Sequence, residues 1–192
     1  METMPRPTPL ADIHTLTRIA LFAALIGAGA FIHIPLGPAH ISLQTMMVIL
    51  TGFCLGPKKS ALALAAYLAC GFIGLPMFGR GKAGPASFFG PTGGFLVGFL
   101  FGAIIAGFSA RSPFRNSRKK RIIAMAAFGT VGAVVILLMG ATGMYLTVIP
   151  DWNRAMALGF WTFLPGDLIK MALAIAVKEA FFPNPGTEAR HA

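Results

Sequence analysis

IALFAALIGAGAFIHIPLGPAHISLQTMMVILTGFCLGP, residues 19–57, runs for 39 residues without an Asp, Glu, Lys or Arg. A helix that crosses a bilayer needs about 20 mainly apolar residues, so this stretch alone holds enough for two. Three more uncharged stretches follow, at 60–79, 83–110 and 122–150. In water such runs are aggregation sites; in lipid they are what a multi-pass protein requires. Composition agrees: 56% of the 192 residues are hydrophobic and 11% charged, against about 45–50% and about 25% in soluble domains. The expected fold is all-α, an integral membrane bundle of six transmembrane helices, one domain over 1–192.

Breakers divide these runs into elements. A short polar tail at 1–16, with Pro5, Pro7 and Pro9, precedes a first helix from about Thr17 to Ile34, closed by Pro35. Pro-Leu-Gly-Pro-Ala-His at 35–40 makes a connector, and a short second helix covers Ile41 to Cys54. The turn Gly56-Pro57-Lys58-Lys59 leads to a third helix, Ser60 to Gly74. Residues 76–91 hold four glycines and three prolines and predict a long loop. A fourth helix at 93–109, a charged linker at 111–121 and a fifth helix from Ile122 to Leu146 follow. The sixth occupies Arg154 to Lys178, interrupted near Pro165-Gly166, which puts the core at about 17–180 ahead of a polar C-terminal tail.

Charge placement orients the bundle. Six of the 16 basic residues are Arg111, Arg115, Arg118, Lys119, Lys120 and Arg121. Flanked by apolar runs, the cluster reads as a cytoplasmic loop against anionic headgroups, and the net charge of +10 does not indicate nucleic acid. With the N-terminus inside, six crossings put those six with Arg6, Arg18, Lys58, Lys59, Lys178 and Arg190 on the inner side. Arg80, Lys82 and Arg154 fall outside, and Lys170 falls within the sixth helix. That asymmetry places both termini in the cytoplasm. Cys54 and Cys70 lie within apolar runs and read as free, buried thiols.

Asp167 and Lys170 carry the most information. Three apart on one helix, they share a face and can pair. Charge inside a membrane is expensive and faces a cavity or a partner, so the pair is either a ligand site or a structural ion pair. Further candidates toward the outer side are Gln44, Thr45, Tyr67, Arg80, Ser87, Thr92, Tyr145 and Trp161. An aromatic residue there also serves as an interface anchor, and Arg80 either attracts an anion or is an ordinary loop charge. Small residues recur four apart: Ala20 with Ala24 and Ala23 with Gly27 on the first helix, Gly94, Gly98 and Gly102 on the fourth. Such rows allow close helix packing, inside the bundle or against a partner. No catalytic motif, metal cluster or phosphate loop is present, so neither an enzyme nor a cofactor is expected, and energy for uptake would come from another subunit or an ion gradient.

Gly90-Pro91-Thr92-Gly93-Gly94-Phe95-Leu96-Val97-Gly98-Phe99 resembles the signature of the BioY family, the biotin-binding component of energy-coupling factor transporters. Matches continue in order through 34–38, 41–45, 71–78 and Leu164-Pro165-Gly166-Asp167-Leu168-Ile169-Lys170, across about 17–178. The resemblance implies a six-helix subunit in a prokaryotic plasma membrane that captures biotin near the outer face. It implies as partners a transmembrane coupling protein and two ATPases, with Ala20 and Ala24 on the contact face. Asp167 would accept from the ureido N–H groups, with Lys170 beside it. Gln44, Thr45 and Thr92 would complete the polar contacts, Tyr67 and Trp161 would pack the rings, and Arg80 or Lys82 would meet the valerate carboxylate. Two alternatives stand beside this: a structural or assembly membrane protein, and a capture subunit for another small vitamin.

Overall fold

The computed structural model describes residues 13–36, 39–112 and 117–182; most of the expected tails, 1–12 and 183–192, lies outside them. Its elements are α1 (Ile13–Phe31), β1 (His33–Leu36), β2 (Ala39–Ser42), α2 (Gln44–Phe72), α3 (Gly93–Gly107), α4 (Arg118–Thr147), α5 (Trp152–Met156) and α6 (Leu164–Phe181). Five helical stretches are long and apolar enough to cross a membrane: α1, α2, α3 with its extension to Arg111, α4, and the run from Trp152 to Phe181. The bundle is a multi-pass membrane fold.

The expected second and third helices form one stretch, α2, broken in the middle. Gly56 has φ 73° and ψ 173°, a conformation closed to side-chain-bearing residues, and Pro57 begins the next segment. The break reverses the chain: Gln44 Nε2 donates to the Tyr67 hydroxyl at 2.7 Å. Twenty-three residues of straight helix would hold those groups about 35 Å apart. The segments 44–55 and 57–72 therefore lie side by side, and Ser60 Oγ, donating to Pro57 O and Ala103 O, fastens the second to α3.

Other boundaries move for local reasons. α1 begins at Ile13 and ends at Phe31, earlier than Thr17 and Ile34. The connector is an antiparallel ribbon, β1 against β2, so the described residues are mainly helical with one small hairpin; a proline is accommodated on such an edge strand. α4 begins at Arg118 rather than Ile122, taking four basic residues into its first turn. Arg121 Nε donates to Glu179 Oε1 at 2.8 Å, which supplies a carboxylate where helix-end N–H groups favour one. The sixth helix is irregular ahead of the expected Pro165-Gly166: α5 passes into a wide π-turn at Ala157–Trp161, and Pro165 and Gly166 fall in the first turn of α6.

The core lies where α3 packs against α2 on one side and α4 on the other. Phe53, Ile49, Leu64, Ile26 and Ile136 are buried there. Gly94 lets α3 lie directly on the α4 backbone: a Cβ on it would lie 2.2 Å from Met139 O and 2.9 Å from Gly143 Cα. The glycine row on α3 thus serves internal packing. The outer surface is apolar instead of charged, with Ile123, Leu146, Ile169 and Phe181 each at least 64% exposed. Side chains displayed in that way belong in hydrocarbon.

Candidate ligand-binding site

α6 opens with Leu164-Pro165-Gly166-Asp167. A proline in the first turn has a preset φ and no N–H to lose, so Pro165 starts this helix. Asp167 consequently falls in the first turn, where the helix dipole favours a carboxylate. One turn on, Lys170 Nζ donates to Asp167 Oδ1 at 2.7 Å. Asp167 is 2% exposed and Lys170 6%. Burying two charges costs several kcal/mol per ion before their attraction offsets it. The Thr45 hydroxyl stands beside the same carboxylate.

Asp167, Lys170 and Thr45 line a cavity of about 210 Å³. Gln44, at the first position of α2, forms another part of its wall and is held from behind. Its Nε2 donates to Tyr67 Oη, which in turn donates to Met77 O at 3.2 Å. Because the amide N–H is engaged by Tyr67, the amide is oriented, with Oε1 on the side of Ser42 Oγ, 3.5 Å away. Ser42 is also a lining residue.

The cavity mouth is made by the loop between α2 and α3. Phe78 is 1% exposed and meets Tyr67 and Phe88 edge-on, with ring centroids 5.7 and 5.5 Å away. This anchor holds a tight turn, with Phe78 N–H bonded to Lys82 O and Gly81 N–H to Phe78 O. At its apex Arg80 adopts φ 64°, a left-handed backbone that disfavours a side chain. Arg80 and Lys82 both line the cavity from this turn, and Thr92 lines it from the start of α3. Thr92 Oγ1 donates to Ser87 O at 3.4 Å, tying the end of the loop together.

The remaining walls are apolar: Phe95, Leu96 and Phe99 from α3, Leu137 and Met144 from α4, and Phe163 just before α6. Phe95 and Phe163 meet edge-on at 5.9 Å. One wall thus offers a carboxylate, an ammonium and neutral hydrogen-bonding groups; another offers aromatic surface; the mouth carries two cations. This arrangement suits a small molecule with polar N–H and carbonyl groups at one end, an apolar middle and an anionic tail.

Of the ligand candidates read from the sequence, Asp167, Lys170, Gln44, Thr45, Arg80, Lys82 and Thr92 line the cavity. Tyr67 is fully buried behind Gln44 and reaches the site through that hydrogen bond. Trp161 lies apart from the cavity, 62% exposed and edge-on to Phe160 at 5.1 Å. Ser87 is buried under the loop, and Tyr145 is 40% exposed beside Trp152. The lining residues the sequence reading overlooked are mainly Phe95, Phe99 and Phe163. Their signal was present, since Phe95 and Phe99 are four apart on one helix face and Phe163 stands four before Asp167.

The BioY family model matches residues 3–184 of the chain. "Biotin transporter BioY" of Thermotoga maritima is 37% identical over 162 residues, 84% of this chain and 92% of that protein. "Probable biotin transporter BioY" of Pyrococcus horikoshii is 35% identical over 166 residues, 86% of this chain and 94% of its own length. Among solved structures, the S-component for biotin from an ECF-type ABC transporter superposes with a TM-score of 0.81 at 29% identity, covering 96% of this chain and 98% of that one. Matched almost end to end by the family model, by these relatives and by this structure, the chain belongs to the BioY family.

Proposed function

We propose that the chain captures biotin in the Asp167–Lys170 cavity as the substrate-binding subunit of an energy-coupling factor transporter. The observation that carries this is a buried ion pair facing a small cavity whose other walls are aromatic and whose mouth is cationic. A structural ion pair needs no cavity beside it. The Asp167 carboxylate accepts from the ureido N–H groups, while Lys170, Thr45 and the Gln44 amide serve the rest of that polar head. Phe95, Phe99 and Phe163 enclose the ring system and the aliphatic chain. Arg80 and Lys82 meet the carboxylate at the mouth, with Thr92 beside them. Tyr67 acts by holding Gln44, and Trp161 faces lipid.

We take the chain to cross the membrane six times, because the two segments of α2 run antiparallel and each counts as a pass. Both termini then share one side with Lys58, Lys59 and the basic start of α4, and the distribution of positive charge supports that side as the cytoplasmic one; the family supports a prokaryotic plasma membrane. The partners are the membrane coupling protein and two ATPases. The coupling protein docks on the exposed face of α1, where Ala20, Ala24 and Ala28 form a row of small side chains. The chain is a transport subunit and not an enzyme.

Binding of radiolabelled biotin to the detergent-purified chain, challenged with thiamine and riboflavin, tests the reading. Saturable binding displaced by unlabelled biotin alone is expected. Displacement by either other vitamin, or no saturable binding, overturns it.

A further inference from the structure

The described residues enclose a second cavity, of about 400 Å³, which the biotin reading does not use. It is lined by the Gly56 turn of α2, by the segment after α3, by Arg121 in the first turn of α4 and by Lys178 in the last turn of α6. The first cavity touches the opposite ends of the same helices, from the start of α2 and α6 to Met144 near the end of α4. The two cavities therefore lie at opposite ends of the bundle.

We propose that this second cavity binds a phosphate group, carried by an anionic lipid headgroup or free in solution. Its wall presents Lys59 from α2, Arg121 from α4 and Lys178 from α6, together with Ser109 and Ser112. Arg121 is 9% exposed and Lys178 7%, so these charges are built into the bundle instead of being spread over its surface. No acidic side chain is among the described lining residues. Glu179 braces Arg121 through two hydrogen bonds without joining the wall.

Cationic donors on three separate helices suit a tetrahedral anion, whose oxygens accept from several directions at once. The helix ends place the recess at the level of the headgroups, where basic pockets between transmembrane helices hold anionic lipids. Lys59 Nζ already donates to Thr15 Oγ1 at 3.2 Å and Lys178 Nζ to Phe182 O, and an ammonium has three N–H donors, so each can serve its present partner and a ligand together. The proposal is independent of the biotin site.

The test uses the full chain in a zwitterionic detergent. Native mass spectrometry follows retention of phosphatidylglycerol against phosphatidylcholine, and calorimetry follows inorganic phosphate in a separate arm. Expected is saturable retention of phosphatidylglycerol over phosphatidylcholine, saturable binding of phosphate, or both. Retention of the lipid alone assigns a headgroup, and phosphate binding alone assigns the free anion. Lys59→Gln and Lys178→Gln should each weaken that binding about tenfold, the scale of one charge-assisted hydrogen bond, while biotin binding is unchanged. Lys59 is only half-buried, so Lys59→Gln carries the test should Lys178→Gln fail to fold. Equal retention of the two lipids with no saturable phosphate binding overturns the proposal. So does Lys59→Gln binding the anion as tightly as the parent chain.

Discussion

Lys170 Nζ lies 2.7 Å from Asp167 Oδ1, within a single turn of α6, and neither side chain is more than 8% exposed. Removing one member of such a pair strands the other charge, at a cost of about 3–5 kcal/mol, whereas replacing both with apolar groups is often close to neutral. Lys170→Met and Asp167→Leu should therefore each lower the melting temperature in detergent, and the double variant should recover most of the loss. Biotin binding should be absent from all three. A double variant that melts like the parent chain and still binds biotin would reduce the pair to a structural role.

Tyr67 tests whether the site is held from behind. Tyr67→Phe removes the hydroxyl that joins the Gln44 amide to the Met77 carbonyl and leaves only their long direct contact, at 3.5 Å, so both are poorly satisfied. An unsatisfied buried polar group costs about 1–3 kcal/mol. Biotin affinity is expected to fall about tenfold as Gln44 loses its orientation, equivalent to about 1.4 kcal/mol. Titration with labelled biotin reads this directly. Gln44→Ala should lower affinity at least as much, and adding Tyr67→Phe to it should change little further.

Arg80 combines a functional charge with a disfavoured backbone, φ 64°. Arg80→Gly removes both, and relief of a left-handed conformation is worth about 1–2 kcal/mol. The variant should melt higher yet bind biotin about 5- to 10-fold more weakly, the effect of one charged hydrogen bond lost at a partly solvated site. Biotin methyl ester lacks the anionic tail, so its affinity should be the same for Arg80→Gly and the parent. An ester affinity that falls in parallel with that of biotin would show that Arg80 does not meet the carboxylate.

At Gly94 a methyl group would meet two backbone atoms of α4, Met139 O at 2.2 Å and Gly143 Cα at 2.9 Å. Neither can rotate away. Gly94→Ala should force α3 from α4 and destabilise the fold by about 1–3 kcal/mol, the usual cost of overpacking. Thermal unfolding of the purified variant measures it.

Ala20 and Ala24 are exposed on α1 and line neither cavity. Ala20→Trp with Ala24→Trp should leave melting temperature and biotin binding unchanged while abolishing copurification of the coupling protein, because bulk on a small-residue face prevents close helix approach. Undiminished copurification would assign the contact to another face.

The solvent of this protein was legible in its sequence. Transfer of a residue into hydrocarbon is largely a local quantity that adds along a segment, so residues 19–57 and the later uncharged runs carry it without knowledge of any neighbour. The Asp167–Lys170 pair was legible for a similar reason, since three residues of helix bring two side chains onto one face. Which other groups share their cavity was decided only by tertiary structure. Gln44 and Tyr67 meet because Gly56 turns the chain back, and no local pattern states how far the two segments return or in what register. Trp161 and Phe163, two apart, fall on opposite sides of a helix, and packing decided that it is Phe163 that lines the cavity and Trp161 that faces outward. Phe163 could be counted back four places from Asp167, whereas Trp161 lies in the wide π-turn over 157–161, which departs from the 3.6-residue period and hides its face from such a count. Polarity is written residue by residue, whereas convergence depends on the rotation and crossing of helices, which packing between distant segments sets.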